Sequence, residues 1–301
     1  MKSLDAFIDL TRLHFFFVWP TLFCAGLFFA YNFYEGFSLS TIFRVALIGF
    51  LGFEAGLVLN DIVDARVDKK EVENDKLTKY WRVFGRRPIS EGLISTQKAT
   101  ILFGILVALT SIIIFTLSFP HSIYVFIIMV TCYCLEVFYQ LKKRAERFPI
   151  AQIVGRIDFA LFLVAGYLCV GFPDTNVLVL FFFFYPLALA HLGVNDLVDV
   201  KNDNAKGMNT IPTLYSMKVT AFWIVAFSIF HGIMAIVMLT LLSNLAIIGF
   251  SASLLLLTVG NVVILKQKTA ISGMKALPMF HVAMLIYAIT IIANYLVATT
   301  L

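Results

Sequence analysis

The sequence predicts an all-α membrane protein of about nine spanning helices. Three observations predict it. Hydrophobic residues make up 60% of the chain and charged residues 14%, whereas a soluble domain carries about a quarter charged. Apolar runs long enough to cross about 30 Å of hydrocarbon as helices recur along the whole length. No long stretch alternates apolar and polar residues with period two, which excludes a transmembrane barrel.

The spans fall at about 14–34, 38–60, 97–118, 121–140, 149–171, 176–195, 219–242, 244–265 and 278–299, with Pro120-His121 dividing the third from the fourth. Asp5 and Asp9 precede the first run, which is too long for a signal peptide and has no small-x-small site after it; it reads as a retained span. The chain, 1–301, reads as one polytopic domain with two long polar connections, about 61–96 and 196–218. Loops on the other side are short. Long loops beside a site commonly cover it, so both are expected to cap one.

Basic residues set the orientation. Lys2 and Arg12 precede the first span. Lys69, Lys70, Lys76, Lys79, Arg82, Arg86 and Arg87 lie in the first long connection, and Lys142, Lys143, Arg144 and Arg147 follow span four. Lys201, Lys206, Lys266, Lys268 and Lys275 lie in later loops of the same side; Arg44 is the exception opposite. The positive-inside bias puts the N-terminus and both long loops in the cytoplasm, in the cell membrane, and the C-terminus outside. The net charge of +5 is thus a topology signal, suited at most to anionic lipid, and no patch suggests nucleic acid. Nothing points to an obligatory protein partner. Cys24, Cys132, Cys134 and Cys169 sit in apolar spans without CxxC spacing and read as reduced core residues.

The informative stretches end spans two and six: Asn60-Asp61-Ile62-Val63-Asp64-Ala65-Arg66-Val67-Asp68 and Asn195-Asp196-Leu197-Val198-Asp199-Val200-Lys201-Asn202-Asp203. If each is helical, its asparagine and three aspartates fall within about 100° of arc. Three carboxylates on one face repel unless a cation sits among them. Two such faces opposed make a hard, oxygen-lined site suited to Mg²⁺. The plainer account, polar helix ends leaving the membrane, does not explain the same spacing occurring twice.

Ionisable residues at membrane depth are functional candidates. Glu54 lies in span two, Arg156 and Asp158 in span five, and His191 one turn before Asn195. Glu136, Tyr139 and Lys143 share a face of span four. The structural alternative pairs Arg156 with Glu136 or Asp158. The chain holds 31 Phe; most are expected to face lipid, and those facing inward would wall a cavity suited to a greasy chain and a carbocation. A secondary transporter with acidic cation sites is the rival reading, but it expects them near the bilayer midplane, not at span ends. A lipid-binding structural protein would not explain two magnesium-type clusters.

These residues resemble the UbiA superfamily of intramembrane prenyltransferases. Its NDxxDxxxD pattern is matched by Asn60, Asp61, Asp64 and Asp68, and its DxxxD by Asp199 and Asp203. YxxxK is matched by Tyr139 and Lys143, RPxxxG by Arg87, Pro88 and Gly92, and Thr-x-Pro by Thr210 and Pro212. Arg12 stands where the family often has an arginine. Three departures stand out: a long interval from Asp68 to Arg87, Glu91 in place of a common serine, and Gln152, Gly155, Arg156 and Asp158 where many members carry asparagine.

The resemblance implies nine helices around a central cavity and Mg²⁺-dependent transfer from a prenyl diphosphate donor to a small lipophilic or aromatic acceptor in the bilayer. It implies metal ligation by Asp64, Asp68, Asp199, Asp203 and Asn60, supported by Asp61, Asn195 and Asp196. Tyr139, Lys143 and Arg12, with Arg66 and Lys70 as further candidates, would bind phosphate; Asn195 and His191 would contact substrate. The acceptor expected first is an aromatic quinone precursor, and second a glyceryl phosphate ether lipid.

Overall fold

The computed structural model describes residues 2–72 and 77–298; Lys76 lies outside the described residues. All regular structure among them is helical: α1 (Lys2–Thr11), α2 (Val18–Ala30), α3 (Leu39–Asp64), α4 (Leu77–Trp81), α5 (Thr96–Ile114), α6 (His121–Lys142), α7 (Ile150–Gly155), α8 (Ile157–Leu168), α9 (Thr175–Lys206), α10 (Ile211–Leu214), α11 (Met217–Leu239), α12 (Ala246–Gln267) and α13 (Ala270–Ala298). Nine spans among the described residues are long and apolar enough to cross a membrane. The fifth is α7 and α8, broken at Arg156. The protein is integral to the membrane and multi-pass.

Local chemistry fixes the helix ends. The side chains of Ser38, Ser95, Asp174 and Ser216 accept from backbone N–H groups of Thr41, Lys98, Val177 and Val219, capping α3, α5, α9 and α11. Gly207 ends α9 at φ 72°, a left-handed conformation that glycine takes without strain. Asp174 also accepts from the hydroxyls of Tyr34 and Tyr167, each at 2.7 Å, tying α8 and the chain after α2 to α9 at the end far from the acidic motifs.

Lipid tails offer helices no hydrophobic reason to associate, so close backbone approach matters. At the α2–α8 crossing a Cβ on Gly26 would collide with the Leu163 carbonyl, and one on Gly166 with the Phe23 carbonyl. Further pairings of α9 with α11, α12 with α13 and α3 with α5 close the bundle. Exposed Phe16, Phe17, Phe43 and Phe182 lie on its outside, while Phe29, Phe183, Phe250 and Phe280 fill its interior.

The two acidic stretches fold differently. The second is helical throughout, carried by the 32-residue α9. The first leaves the helix after Asp64, and Asp68 opens a 3₁₀ turn, Asp68–Lys70. The single-helix expectation therefore holds for Asn195–Asp203 and fails between Asp64 and Asp68. Tertiary pairing overrides the period: Asp64 is drawn to α6 and Asp68 to the loop arginine Arg87 and to α9.

Candidate active site

Both stretches face one cavity of about 260 Å³. Asn60, Asp64 and Asp68 line it from one side, and Asn195, Asp196, Asp199 and Asp203 from the other. Arg12, Tyr139, Lys143 and His191 line it as well. Both long connections contribute to the wall, the first through Thr78, Trp81, Arg82 and Arg87, the second through Met208 and Thr210. The two sides touch directly. Lys206, at the end of α9, places Nζ 2.9 Å from Asp68 Oδ1 and 2.6 Å from Glu71 Oε1.

Every carboxylate of the first cluster is paired with cations. Arg82 Nη2 donates to both oxygens of Asp61, at 2.9 and 2.8 Å, and Arg12 Nη2 adds a bond at 3.2 Å. Asp64 receives Lys143 Nζ at 3.2 Å and Arg144 Nη2 at 2.8 Å. Asp68 receives Arg87 Nη1 at 2.7 Å besides Lys206. Burial works against the charged form of Asp68, but Arg87 and Lys206 outweigh it and hold its carboxyl below the usual range. Burial and the neighbouring Arg82 bring the Arg12 guanidinium down to about 10. Asp9 of α1 accepts from the backbone N–H groups of Phe84 and Arg86 at 2.9 Å each, and its own carbonyl accepts from Arg82 Nη1. The first connection is thus clamped between α1 and α3.

The second cluster has no such partners among the described residues. Asp199 accepts from Asn202 Nδ2 at 2.7 Å, and Asp203 from Thr210 Oγ1 at 2.8 Å. Among the described residues none of Asp196, Asp199 and Asp203 forms an ion pair. Asp196 Oδ2 and Asn195 Oδ1 are buried without a hydrogen-bond partner. Buried oxygens left unmatched are costly. No three acidic, histidine or cysteine side chains among the described residues form a ready-made metal cage. The donor chemistry nevertheless fits a hard divalent cation: carboxylate and amide oxygens, on residues that line one cavity, that lack a positive partner among the described residues.

Deeper in, Glu136 accepts from Asn60 Nδ2 at 2.7 Å, Gln140 Nε2 at 2.6 Å and Arg156 Nη2 at 2.9 Å. Arg156 reaches Asp158 at 3.5 Å and lies 4.1 Å from the centre of the Tyr139 ring. Arg156 thus pairs with both expected acids, and all three line the cavity. The wall here is aromatic. Trp19 stacks on Phe53 with ring centres 3.5 Å apart, and Phe159 and Phe162 pack edge-on or tilted beside them. Glu54 is buried with neither oxygen bonded, and it stays outside the cavity wall.

Not every residue singled out from the sequence reaches the cavity. Arg66 and Lys70 are exposed and do not line it, because the chain turns after Asp64 and points them outward. Asp61 is sealed behind Arg82 and Arg12, also outside the cavity wall. Lys69 and Lys79 are exposed as well. Arg82, Arg144 and Lys206 join the site without being among the residues expected there. Lys206 carried a usable signal, lying three residues after Asp203 on one helix. Arg82 and Arg144 carried none, since their partners are 21 and 80 residues away.

The chain and its architecture have counterparts among known proteins. The model of the UbiA prenyltransferase family matches residues 17–291. A digeranylgeranylglyceryl phosphate synthase from Methanothermobacter thermautotrophicus is 27% identical over 186 residues, which are 60% of this chain. The chain spans 58% of that relative's length. An apo UbiA homologue from Aeropyrum pernix K1 superposes with a TM-score of 0.73 at 16% identity, covering 96% of this chain and 98% of its own. A UbiA homologue from Archaeoglobus fulgidus bound to DMAPP and Mg²⁺ gives 0.70 at 14% identity, covering 95% and 99%.

Proposed function

The chain belongs to the UbiA prenyltransferase family, and from that premise we propose that it moves a prenyl group from a prenyl diphosphate to the hydroxyl of a glyceryl phosphate ether lipid, with Mg²⁺ bound at the acidic motifs. One observation carries the reading: two acidic ledges meet over a cavity whose deeper wall is aromatic. The choice of acceptor is supported by the name of the Methanothermobacter relative, and that of donor and metal by the Archaeoglobus homologue.

We assign metal ligation to Asp64, Asp68, Asp199, Asp203 and Asn60, with Asp196 and Asn195 supporting. Mg²⁺ would supply neutralisation of the diphosphate, making it a workable leaving group. Lys143, Tyr139, Arg12, Arg87 and Lys206 surround the same space and would donate to phosphate oxygens as charge builds on them. Trp19, Phe53, Phe159 and Phe162 would exclude water from the allylic cation and face it with π-electron density. The prenyl tail stays in hydrocarbon, which accounts for an embedded site. Both capping loops belong on the cytoplasmic side by their lysines and arginines, and the whole chain acts as one catalytic domain.

Purified protein with labelled geranylgeranyl diphosphate, Mg²⁺ and an acceptor panel tests this. A glyceryl phosphate ether lipid is expected to take the label, and excess EDTA to stop it. Labelling of a hydroxybenzoate or dihydroxynaphthoate but not the lipid would replace the acceptor. Full activity in EDTA would remove the metal.

A further inference from the structure

A chain of three side chains runs from the cavity wall to the capping loop, and one arrangement of protons turns every contact along it into a hydrogen bond. His191, on α9, lines the cavity one turn before Asn195. Its Nε2 lies 2.7 Å from Nε2 of His281, on α13. His281 Nδ1 lies 2.6 Å from the hydroxyl of Tyr80, on α4 of the first connection. Asn195 Nδ2 donates one hydrogen to the His191 carbonyl at 3.1 Å, which fixes it as the nitrogen, and it lies 3.2 Å from His191 Nε2.

A neutral imidazole has one N–H and one lone pair. The second amide hydrogen of Asn195 has His191 Nε2 within reach, and the contact is a hydrogen bond when that nitrogen carries the lone pair. His281 Nε2 then carries the hydrogen that bridges the two rings, and the single lone pair of His191 Nε2 is shared between it and the Asn195 amide in a three-centre bond. His281 Nδ1 is left as an acceptor, and the Tyr80 hydroxyl donates to it. His191 therefore keeps its hydrogen on Nδ1. That nitrogen has no hydrogen-bond partner among the described residues, on a side chain that lines the cavity.

Building on the prenyltransferase reading, we infer that His191 presents a fixed Nδ1–H donor to an oxygen of the acceptor's polar head, with His281 and Tyr80 as positioning residues that lock its tautomer. The site would select acceptors offering an oxygen lone pair at that depth. The lock includes a residue of the capping loop, so the donor is in register only when that loop is seated on α13.

Two measurements test it. Long-range ¹⁵N–¹H spectra of ¹⁵N-histidine protein in detergent, with the rings assigned from H191Q and H281Q, should show His191 protonated at Nδ1 and His281 at Nε2. Tyr80→Phe should mix the His281 tautomers and raise the acceptor KM about tenfold, the worth of one aligned hydrogen bond, with donor KM unchanged. A wild-type His191 protonated at Nε2, or a Tyr80→Phe variant with both tautomers and acceptor KM unaltered, overturns the inference. The spectra need no turnover, so a protein that prenylates nothing would undo the proposed function while leaving the tautomer assignment standing.

Discussion

At the end of α3, Asp61, Asp64 and Asp68 each hold two basic side chains; on α9, Asp196, Asp199 and Asp203 hold none among the described residues. The two clusters have nearly the same sequence and face the same side of the bundle, so spacing does not create the difference. Distant segments do. Arg12, Arg82 and Arg87 converge on the end of α3 and the turn after it from the N-terminus and the first connection, and the turn after α6 adds Lys143 and Arg144. The first cluster is a finished structural joint that also borders the site. The second is left with buried carboxyls that no cation among the described residues meets, which costs stability until a cation arrives. A binding site commonly carries such a deficit, and here it is concentrated on one helix.

The largest effect should come from the unpaired side. Asp199→Asn or Asp203→Asn is expected to lower turnover about a thousandfold, near 4 kcal/mol of transition-state stabilisation. Thermal stability without metal should stay level or rise, because a repelling charge is gone and no partner is orphaned. Turnover within tenfold of wild type would break the comparison from the catalytic side.

Asp61→Ala should do the reverse. It leaves Arg82 and Arg12 buried without their acid, at a cost of about 3 kcal/mol. Denaturant or thermal unfolding in detergent reads this directly. An Asp61→Ala protein as stable as wild type would show that the joint holds nothing together. Asp64→Ala is the mixed case, expected to lose both activity and stability, since Asp64 both faces the cavity and holds Lys143 and Arg144.

Ligand-linked stability sharpens the same contrast. At a hundredfold excess over its Kd, a prenyl diphosphate with Mg²⁺ should stabilise the wild type by about 2.7 kcal/mol. Asp203→Asn should lose most of that gain. A diphosphate that stabilises equally in EDTA would place binding on the cations of the first cluster alone.

The spans were legible because hydrocarbon leaves so few ways to satisfy a backbone, so an apolar run of 20 residues can do little but cross. The convergence of the motifs followed from their repetition, and the shared face of Glu136, Tyr139 and Lys143 from helical spacing; all three line the cavity. Apart from Arg156 with Glu136 and Asp158, the partners that meet across the bundle were illegible, because pairing is decided by tertiary approach. His281 meets His191 across 90 residues, and Tyr80 meets His281 across 201. The break after Asp64 was hidden for the same reason, and it turned Arg66 and Lys70 away from the cavity.

The smallest expected effect concerns acid. Asp68 has its carboxyl held below the usual range by Arg87 and Lys206 against the pull of burial. A depressed carboxylate contributes stability that is fully present above its unfolded value of about 3.9 and drains away as pH falls through its folded value. Between pH 7 and about 5 this pair should therefore leave stability unchanged, and below about pH 4 it should add to the decline. Asp68→Asn should be less stable than wild type at neutral pH, with the gap closing as pH falls below about 4. Asp199→Asn, which removes an acid with no cation partner among the described residues, should show no such closing gap. If the two variants track each other down the acid limb, the cations around Asp68 are spectators and the asymmetry between the clusters has no energetic weight.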